Sequence, residues 1–342
     1  KQFASEKAFL EVQAHIEARP TFSLMKEARL ALTDMGISLS SREEAFMSRL
    51  GERIPVVGVG VRASNRAYAG FLNKLRADTF DALLTQAKRA GIDTENAKFL
   101  TDLGRFINAA TGRGSLGFFE KSAVPLSTFF FSPRLMASRL QLLNPVFYMN
   151  LHPFVRKQAL ISALGLASLG AIVLGLFKLN GQSVGTDPRS ADFAKAKIGN
   201  TRFDIWGGFQ QPMVALFRLV TGQMVSSTTG REFVLGEGYK PTTRLDIVMR
   251  YLKSKEAPVI SLMTQLLEGV KPSGEPVRLS VELVDRFIPM FVQDLAEVSE
   301  EHGLGNAWMA LPGAFGVGVQ TYGRKIPQVT QTPAGRETIR FR

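Results

Sequence analysis

The sequence predicts a mainly α fold: an irregular multi-helix assembly with long loops and at most one small β-hairpin, at about residues 197–206. Apolar residues recur at helical spacing over most of the chain, which is typical of amphipathic helices. The regular alternation of strands and helices that a doubly wound sheet requires is missing. At 342 residues the chain is long enough to build two or three packing units.

The N-terminal region, residues 1–120, is predicted to be helical. Apolar residues recur at helical spacing from Phe9 to Ile16 and again from Leu24 to Leu32. Ser40 and Ser41 are each followed three residues later by a glutamate, which predicts a helix that begins with one of these serines as its N-cap. Further on, two apolar stripes predict helical faces that pack on other helices: Tyr68, Phe71, Leu72 and Leu75, and then Phe80, Leu83, Leu84 and Ala87.

A glycine-rich stretch, residues 54–63, has the outline of a dinucleotide-binding fingerprint, Gly-x-Gly-x-x-Ala. Pro55 interrupts the strand that such a site requires, and the residues before it have a helical pattern. We therefore reject a nucleotide site. The stretch is interpreted as a flexible glycine loop that leads into a helix at Ser64–Lys74.

Charge is distributed unevenly along a strongly basic chain, whose formal net charge is +12. No acidic residue occurs from Lys121 to Val184, and Asp187 is the first acid after Glu120. Residues 121–200 contain nine basic and two acidic side chains, so this part carries most of the excess. Such a balance indicates an anionic partner, either nucleic acid or a lipid surface, although a solvated basic face is the plainer alternative.

The acid-free region, residues 121–180, contains the most distinctive physical signal. Gln158–Phe177 is a run of twenty uncharged, mostly apolar residues, flanked by Arg156 and Lys157 before it and Lys178 after it. About 20 helical residues span the ~30 Å hydrocarbon core of a bilayer. A helix buried entirely by protein has the same composition, so a membrane helix and a core helix both remain open.

Small residues repeat at every fourth position of this run and predict a ridge that lets helices approach closely. The ridge consists of Ala163, Ala167, Ala171 and Gly175. Four basic residues near the aromatic and apolar stretches are candidates for contact with DNA or lipid phosphate. They are Arg134, Arg139, Arg156 and Lys157. A core helix or a subunit contact is the alternative for the aromatic stretch around Phe129–Phe131.

Residues 181–312 predict the small hairpin followed by further helices. The hairpin is expected to turn at Gly199-Asn200, and a helix is expected from Gln210 to Val220. Thr221–Lys240 is interpreted as a glycine- and threonine-rich connection. Helices are then expected at Thr243–Leu252, Val259–Leu267, Val281–Phe291 and Asn306–Leu311. Residues 313–342 are expected to form an extended tail.

The sequence offers no arrangement of residues on which an enzymatic mechanism could be based. It has no cysteine, so disulfides and thiolate sites are excluded, and its three histidines lie far apart. It has no Gly-x-Ser-x-Gly elbow and no paired carboxylates in an apolar setting. We therefore expect a protein that is not an enzyme, with no catalytic, cofactor-binding or metal-binding residue.

Several short motifs occur in an order that resembles the large polyvalent protein-associated regions of very long phage and mobile-element proteins. The resemblance covers roughly residues 40–300. The motifs are Arg42–Ser48, Arg53–Gly58, Arg62–Tyr68, Phe71–Arg76, Thr111–Gly114, Phe131–Arg134 and Trp206–Gln210. That group includes internal virion proteins that short-tailed bacteriophages eject with their genome. The sequence begins at Lys1 without an initiator methionine, and we expect it to be part of a longer polypeptide.

The resemblance implies a structural component of a phage virion that helps to form the conduit for genome delivery across the host envelope. It implies storage in the virion interior, then a place in the host cell envelope, with other virion proteins, further copies in a ring or tube, phage DNA and the host membrane as partners. One alternative is a non-catalytic scaffold domain of a giant phage polyprotein that carries an enzyme, such as a virion RNA polymerase, elsewhere. A permanent membrane protein with one span is a third interpretation.

Overall fold

The fold was obtained as a computed structural model. It describes residues 6–33, 57–238, 241–268, 290–315, 317–321, 327–331 and 337–341. Contacts between Cα atoms divide the chain into two units. The first unit comprises Lys1–Ser168 with Leu252–Ile260, and the second comprises Leu169–Tyr251 with Ser261–Arg342.

The first unit is built from helices. They are α1 (Glu6–Glu17), α2 (Phe22–Glu27), α3 (Val57–Arg89), α4 (Ala97–Ala110), α5 (Ala123–Phe129), α6 (Pro133–Leu143), α7 (Pro145–Met149) and the first part of α8 (Pro153–Leu179), with a 3-10 segment at Gly117–Ser122. Proline occupies the first turn of α6 and of α7, where its missing N–H costs no helical hydrogen bond. Asn144 caps α7 by accepting a hydrogen bond from the backbone N–H of Val146.

Helix α4 lies at the centre of the first unit's core. Asn96 caps its start, because the side-chain oxygen accepts hydrogen bonds from the N–H groups of Lys98 and Phe99. Its apolar side chains pack against α3 and against the beginning of α8. The buried apolar residues are Phe99, Leu100, Leu103, Phe106 and Ile107 from α4, Phe80, Leu84 and Ala87 from α3, and Val155 and Ala159 from α8.

The chain that follows α2 is held against α3 and α4 by side chains that bind its backbone. Asn108 accepts from the N–H of Ala31, and the guanidinium of Arg76 donates to the carbonyl oxygen of Ala31 at 2.6 Å. Asn73 accepts from the N–H of Thr33 and donates to its carbonyl oxygen, both at 2.9 Å. These side-chain contacts hold residues 31–33 against α3 and α4, although this segment is not part of a helix or a strand.

The second unit combines the last part of α8 with short strands and further helices. The strands are β1 (Ser183–Val184), β2 (Ala196–Ile198), β3 (Thr201–Asp204), β4 (Gln223–Val225), β5 (Glu232–Val234), β6 (Gly318–Thr321), β7 (Pro327–Gln331) and β8 (Glu337–Phe341). The helices are α9 (Gln210–Thr221), α10 (Arg244–Lys253), α11 (Pro258–Glu268) and α12 (Met290–His302), with a 3-10 segment at Leu304–Phe315. The last two residues of α10 and the first three of α11 belong to the first unit.

Four strands form an antiparallel sheet in the order β1-β2-β3-β6. The tight turn between β2 and β3 contains Gly199, whose φ of 56° lies in the left-handed region. Phe203 is paired with Val319 across β3 and β6. Both side chains are buried together with Val298, Met309 and Ala310, and this cluster forms the second unit's core.

The structure confirms the mainly helical class, but it contains more sheet than the sequence predicted. The hairpin expected near residues 197–206 is present as β2 and β3. The limit of one hairpin was wrong, because β1 and β6 extend it to four strands, and β4–β5 and β7–β8 form two further hairpins. Each of these strands has five residues or fewer, and alternation of polar and apolar residues is too short there to be recognised.

Two interpretations of loops were also wrong. The glycine stretch before Ser64 is helical from Val57 onward, so α3 begins seven residues earlier than expected. The connection expected at Thr221–Lys240 contains β4 and β5. The capped start expected at 40–44 and most of the expected helix Val281–Phe291 lie outside the described residues.

Candidate membrane-contact helix

Helix α8 is anchored in the first unit by its first two turns. Val155 and Ala159 are buried there, and both belong to the cluster formed around α4. Asp102, on α4, accepts a hydrogen bond at 2.7 Å from the backbone N–H of His152, just before the helix begins. The start of α8 is therefore fixed by packing and by a hydrogen bond to α4.

The last turns of α8 pack on the second unit through one face. Phe177 stacks on Phe203 of β3, with ring centroids 6.0 Å apart. One and two turns earlier on the same face, Leu174 contacts the same core and Gly170 lies under the indole ring of Trp206. Spacings of three and four residues place these three positions on one side of the helix.

The remaining surface of α8 is apolar, and no described residue covers it. Six large apolar side chains are between 52 % and 85 % exposed: Ile161, Leu164, Leu169, Ile172, Leu176 and Leu179. Moving one leucine-sized side chain fully out of water is favourable by about 1.5–3 kcal/mol. Covering this partly exposed set with lipid or protein would therefore be favourable by on the order of 5–10 kcal/mol. Exposed apolar patches of this kind mark contact sites for a membrane or another protein.

Length and composition also permit α8 to cross a bilayer. Within the described ranges it is the one helix that meets this test, with a mean hydropathy of 2.3 in its most apolar window. Only 11 % of that window is buried. Within the part of the chain that the structure describes, neighbouring elements therefore do not cover the run as they would cover a core helix.

The predicted small-residue ridge lies on this uncovered surface. Ala163, Ala167 and Ala171 are exposed, and Gly175 is half-buried. A methyl group added at Gly175 would meet no atom within 4 Å. Every fourth residue advances the position around the helix by about 40°, so the ridge winds across the exposed face. Its role as a helix contact stays a prediction.

Three of the four predicted phosphate-contact residues are held within the first unit. Arg134 pairs with Glu120 at 2.8 Å, and Arg139 is half-buried, where burial lowers its pKa although Tyr68 opposes the shift. Arg156 is half-buried beside the carbonyl oxygen of Leu151. Lys157 has an exposed side chain. Arg134 and Arg139 lie on α6 and the other two on α8, and their contact with phosphate stays a prediction.

Sequence reasoning missed an aromatic tip on the 3-10 segment Gly117–Ser122. Phe118 is 95 % exposed and Phe119 is 56 % exposed, and their rings meet edge to face with centroids 5.6 Å apart. The only sequence signal was the pair of phenylalanines directly after Gly117, which lies in a turn with φ of 56°. Such a pair has no helical period, and a pattern search therefore passes over it.

The described side chains include no cluster of possible metal ligands, and they line a cavity beside α1 and α2. No group of three or more histidine, aspartate or glutamate residues there could hold a metal ion. This cavity of about 400 Å³ has an apolar lining that includes Ile16, Phe22, Leu30 and Leu32, and Glu17 and Lys26 also line it. Glu17 and Lys26 alone do not form a catalytic arrangement of nucleophile, base and orienting group.

Comparison of the chain with protein-family models, with curated proteins and with solved structures finds no match.

Proposed function

We propose that this chain is a structural component of a bacteriophage virion that is ejected with the genome and lines part of its path across the host envelope. In this proposal α8 leaves a sheltered position inside the virion and inserts into a host membrane. The observation that carries the proposal is the exposed apolar surface of α8. Only 11 % of the most apolar stretch of this helix is buried.

Geometry supports membrane insertion by α8 in two ways. The helix contains 27 residues, so at about 1.5 Å per residue it is longer than the ~30 Å hydrocarbon core. Its charged residues stand near its ends, with Arg156 and Lys157 in the first turns and Lys178 in the last. Basic side chains at those positions can reach the headgroups of a bilayer.

The motif resemblance supplies the biological setting of the proposal. It points to internal virion proteins, and the excess of basic residues suits a chain that is stored beside packed DNA. The resemblance implies further copies in a ring or tube, and the ridge from Ala163 to Gly175 is a suitable contact between copies within a membrane. No catalytic step is part of the proposal.

Flotation of the chain with liposomes tests the proposal. We expect the wild-type chain to float with vesicles at low and at high salt, because burial of α8 depends little on ionic strength. The variant Leu164→Lys with Leu169→Lys should lose flotation at high salt, since each central lysine costs about 2.5–3.5 kcal/mol in a bilayer. Both leucines are exposed, at 66 % and 61 %, so the fold should tolerate the change.

A matched control adds the same two charges elsewhere. Thr85→Lys with Gln86→Lys alters two exposed positions of α3, and this variant should float like the wild-type chain. Flotation that salt alone abolishes would reduce membrane contact to surface charge and would contradict insertion. Absence of flotation would assign the exposed surface to a protein partner and would favour the scaffold-domain alternative.

A further inference from the structure

The aromatic tip, Phe118 and Phe119, is a second apolar surface, separate in sequence from α8. Phe118 is 95 % exposed, so almost none of its ring contacts the protein. Phe119 is 56 % exposed and packs its ring edge to face with that of Phe118. Two adjacent aromatic rings that face water in this way would be stabilised by moving into apolar surroundings.

Hydrogen bonds hold the turn that displays these rings. The carboxylate of Glu120 accepts from the backbone N–H of Leu116 at 2.9 Å and from the hydroxyl of Ser115 at 3.1 Å. The hydroxyl of Ser115 in turn accepts from the N–H of Gly117 at 3.1 Å. A turn closed by its own polar groups cannot easily fold the rings back onto the protein.

The turn is also tied to α6. The guanidinium of Arg134 donates to Glu120 at 2.8 Å, and the N–H of Ser115 donates to the side-chain oxygen of Gln141 at 3.1 Å. The N–H of Gly114 donates to the carbonyl oxygen of Arg134 at 3.1 Å. The aromatic tip therefore projects from a supported base.

The charge around the tip favours an anionic surface as its partner. The carboxylate of Glu120 is paired with Arg134, while the side chain of Lys121 is exposed. After Glu120 no acidic residue occurs until Asp187. Aromatic rings beside a lysine suit the headgroup layer of a bilayer, where the rings enter apolar surroundings and the ammonium meets lipid phosphate.

We propose that the aromatic tip is an interfacial anchor that inserts Phe118 and Phe119 into the headgroup layer of an anionic bilayer. The inference rests on the proposed function in one respect, that a membrane is the destination of this chain. It does not require α8 to span that membrane. The anchor would hold the first unit at the surface of the bilayer, whether or not α8 inserts afterwards.

A fluorescent label at residue 118 tests the anchor directly. The chain has no cysteine, so Phe118→Cys can be labelled with an environment-sensitive dye at one position. We expect a blue shift of the dye with phosphatidylglycerol-containing vesicles and a much smaller one with pure phosphatidylcholine vesicles. Thr85→Cys, at an exposed position of α3, is the control and should not respond. A label at 118 that stays unchanged while the chain floats would overturn the anchor.

Variants separate the anchor from insertion of α8. Phe118→Ser with Phe119→Ser should weaken binding to the anionic vesicles by about tenfold, which corresponds to ~1.4 kcal/mol, and tryptophan at both positions should restore it. Leu164→Lys with Leu169→Lys should lose salt-resistant flotation and keep the response of the label at 118. If that variant loses both the salt-resistant flotation and the response of the label, the chain has one membrane site instead of two, and the anchor is overturned. A response to protein concentration without vesicles would assign the tip to a protein contact and would also overturn it.

Discussion

The indole ring of Trp206 lies directly on Gly170 of helix α8, where any larger side chain would overlap it. The ring is held from its other side, since Nε1–H donates a hydrogen bond to the carbonyl oxygen of Ala194 at 2.7 Å. Ala194 has a φ of 54°, which is uncommon for a residue with a side chain. This contact fixes the last turns of α8 to the second unit, while no described residue covers the opposite face.

Substitutions of two glycines in α8 should have opposite effects on stability. Gly170→Ala must displace Trp206, and we expect it to lower the free energy of unfolding by about 1–3 kcal/mol. Gly165→Ala meets no atom within 4 Å and should raise the free energy of unfolding by about 0.5–1 kcal/mol, because alanine favours a helix. Urea unfolding followed by circular dichroism measures both changes.

Tryptophan fluorescence gives a second readout of the same contact. Trp308 is 59 % exposed, so Trp308→Phe leaves Trp206 as the single tryptophan at little cost in stability. In that background Gly170→Ala should shift the emission to the red, and Gly165→Ala should leave it unchanged. Equal spectra for the two variants would contradict the placement of Trp206 on Gly170.

Asn73 should be required for the stability of the first unit. Its side chain is 3 % exposed, and it forms two hydrogen bonds with the backbone of Thr33. Asn73→Ala removes both, and we expect it to lower the free energy of unfolding by about 1–3 kcal/mol. Asn73→Asp keeps an acceptor for the N–H of Thr33 but loses the donor to its carbonyl oxygen, so it should also destabilise.

The control for Asn73 is an exposed amide on the same helix. Gln86→Ala should change the free energy of unfolding by less than about 0.5 kcal/mol, because the side chain is exposed. Urea unfolding of the three variants under the same conditions provides the comparison. An Asn73→Ala variant as stable as Gln86→Ala would show that the bonds to Thr33 contribute nothing.

The turn that carries the aromatic tip should loosen in acid. Burial alone would raise the pKa of Glu120, but hydrogen bonds from Arg134 and from the backbone of Leu116 outweigh it and lower that pKa below its ordinary value of 4.5. A carboxyl group with a lowered pKa stabilises the fold above its ordinary pKa. That contribution is lost as the pH falls through the lowered value.

A spin label on Phe118→Cys measures this loss. We expect its mobility to be lower near neutral pH than in acid, and to rise as the pH falls through the lowered pKa of Glu120. With Glu120→Gln added, the mobility should be higher at neutral pH and should no longer change over that range. A spin label whose acid response is the same in both proteins would show that Glu120 does not control the turn.

Local sequence patterns predicted those elements that depend on nearby residues. The uncharged run Gln158–Phe177 predicted a helix, and α8 extends from Pro153 to Leu179. The expected turn at Gly199-Asn200 is the turn between β2 and β3. In both cases the information lies within about 25 residues of chain, where helical periodicity or turn chemistry can express it.

Other features depend on distant residues and could not be predicted in this way. Strand β6 pairs with β3 although Phe203 and Val319 are more than a hundred residues apart in sequence. The sequence also left open whether α8 is covered by protein, because a core helix and a membrane helix have the same composition. Ile161 and Ile172 of α8 are more than half exposed, and this follows only from where the other elements lie in the fold.

The depth of Ile172 in a bilayer tests the central claim most directly. Ile172 is 61 % exposed on α8, and Ile172→Cys can carry a single fluorescent label because the chain has no cysteine. In vesicles, we expect nitroxides near the ends of the acyl chains to quench the label most strongly, and iodide in the water to quench it weakly. A label that iodide quenches fully, and that no lipid nitroxide quenches, would contradict insertion of α8.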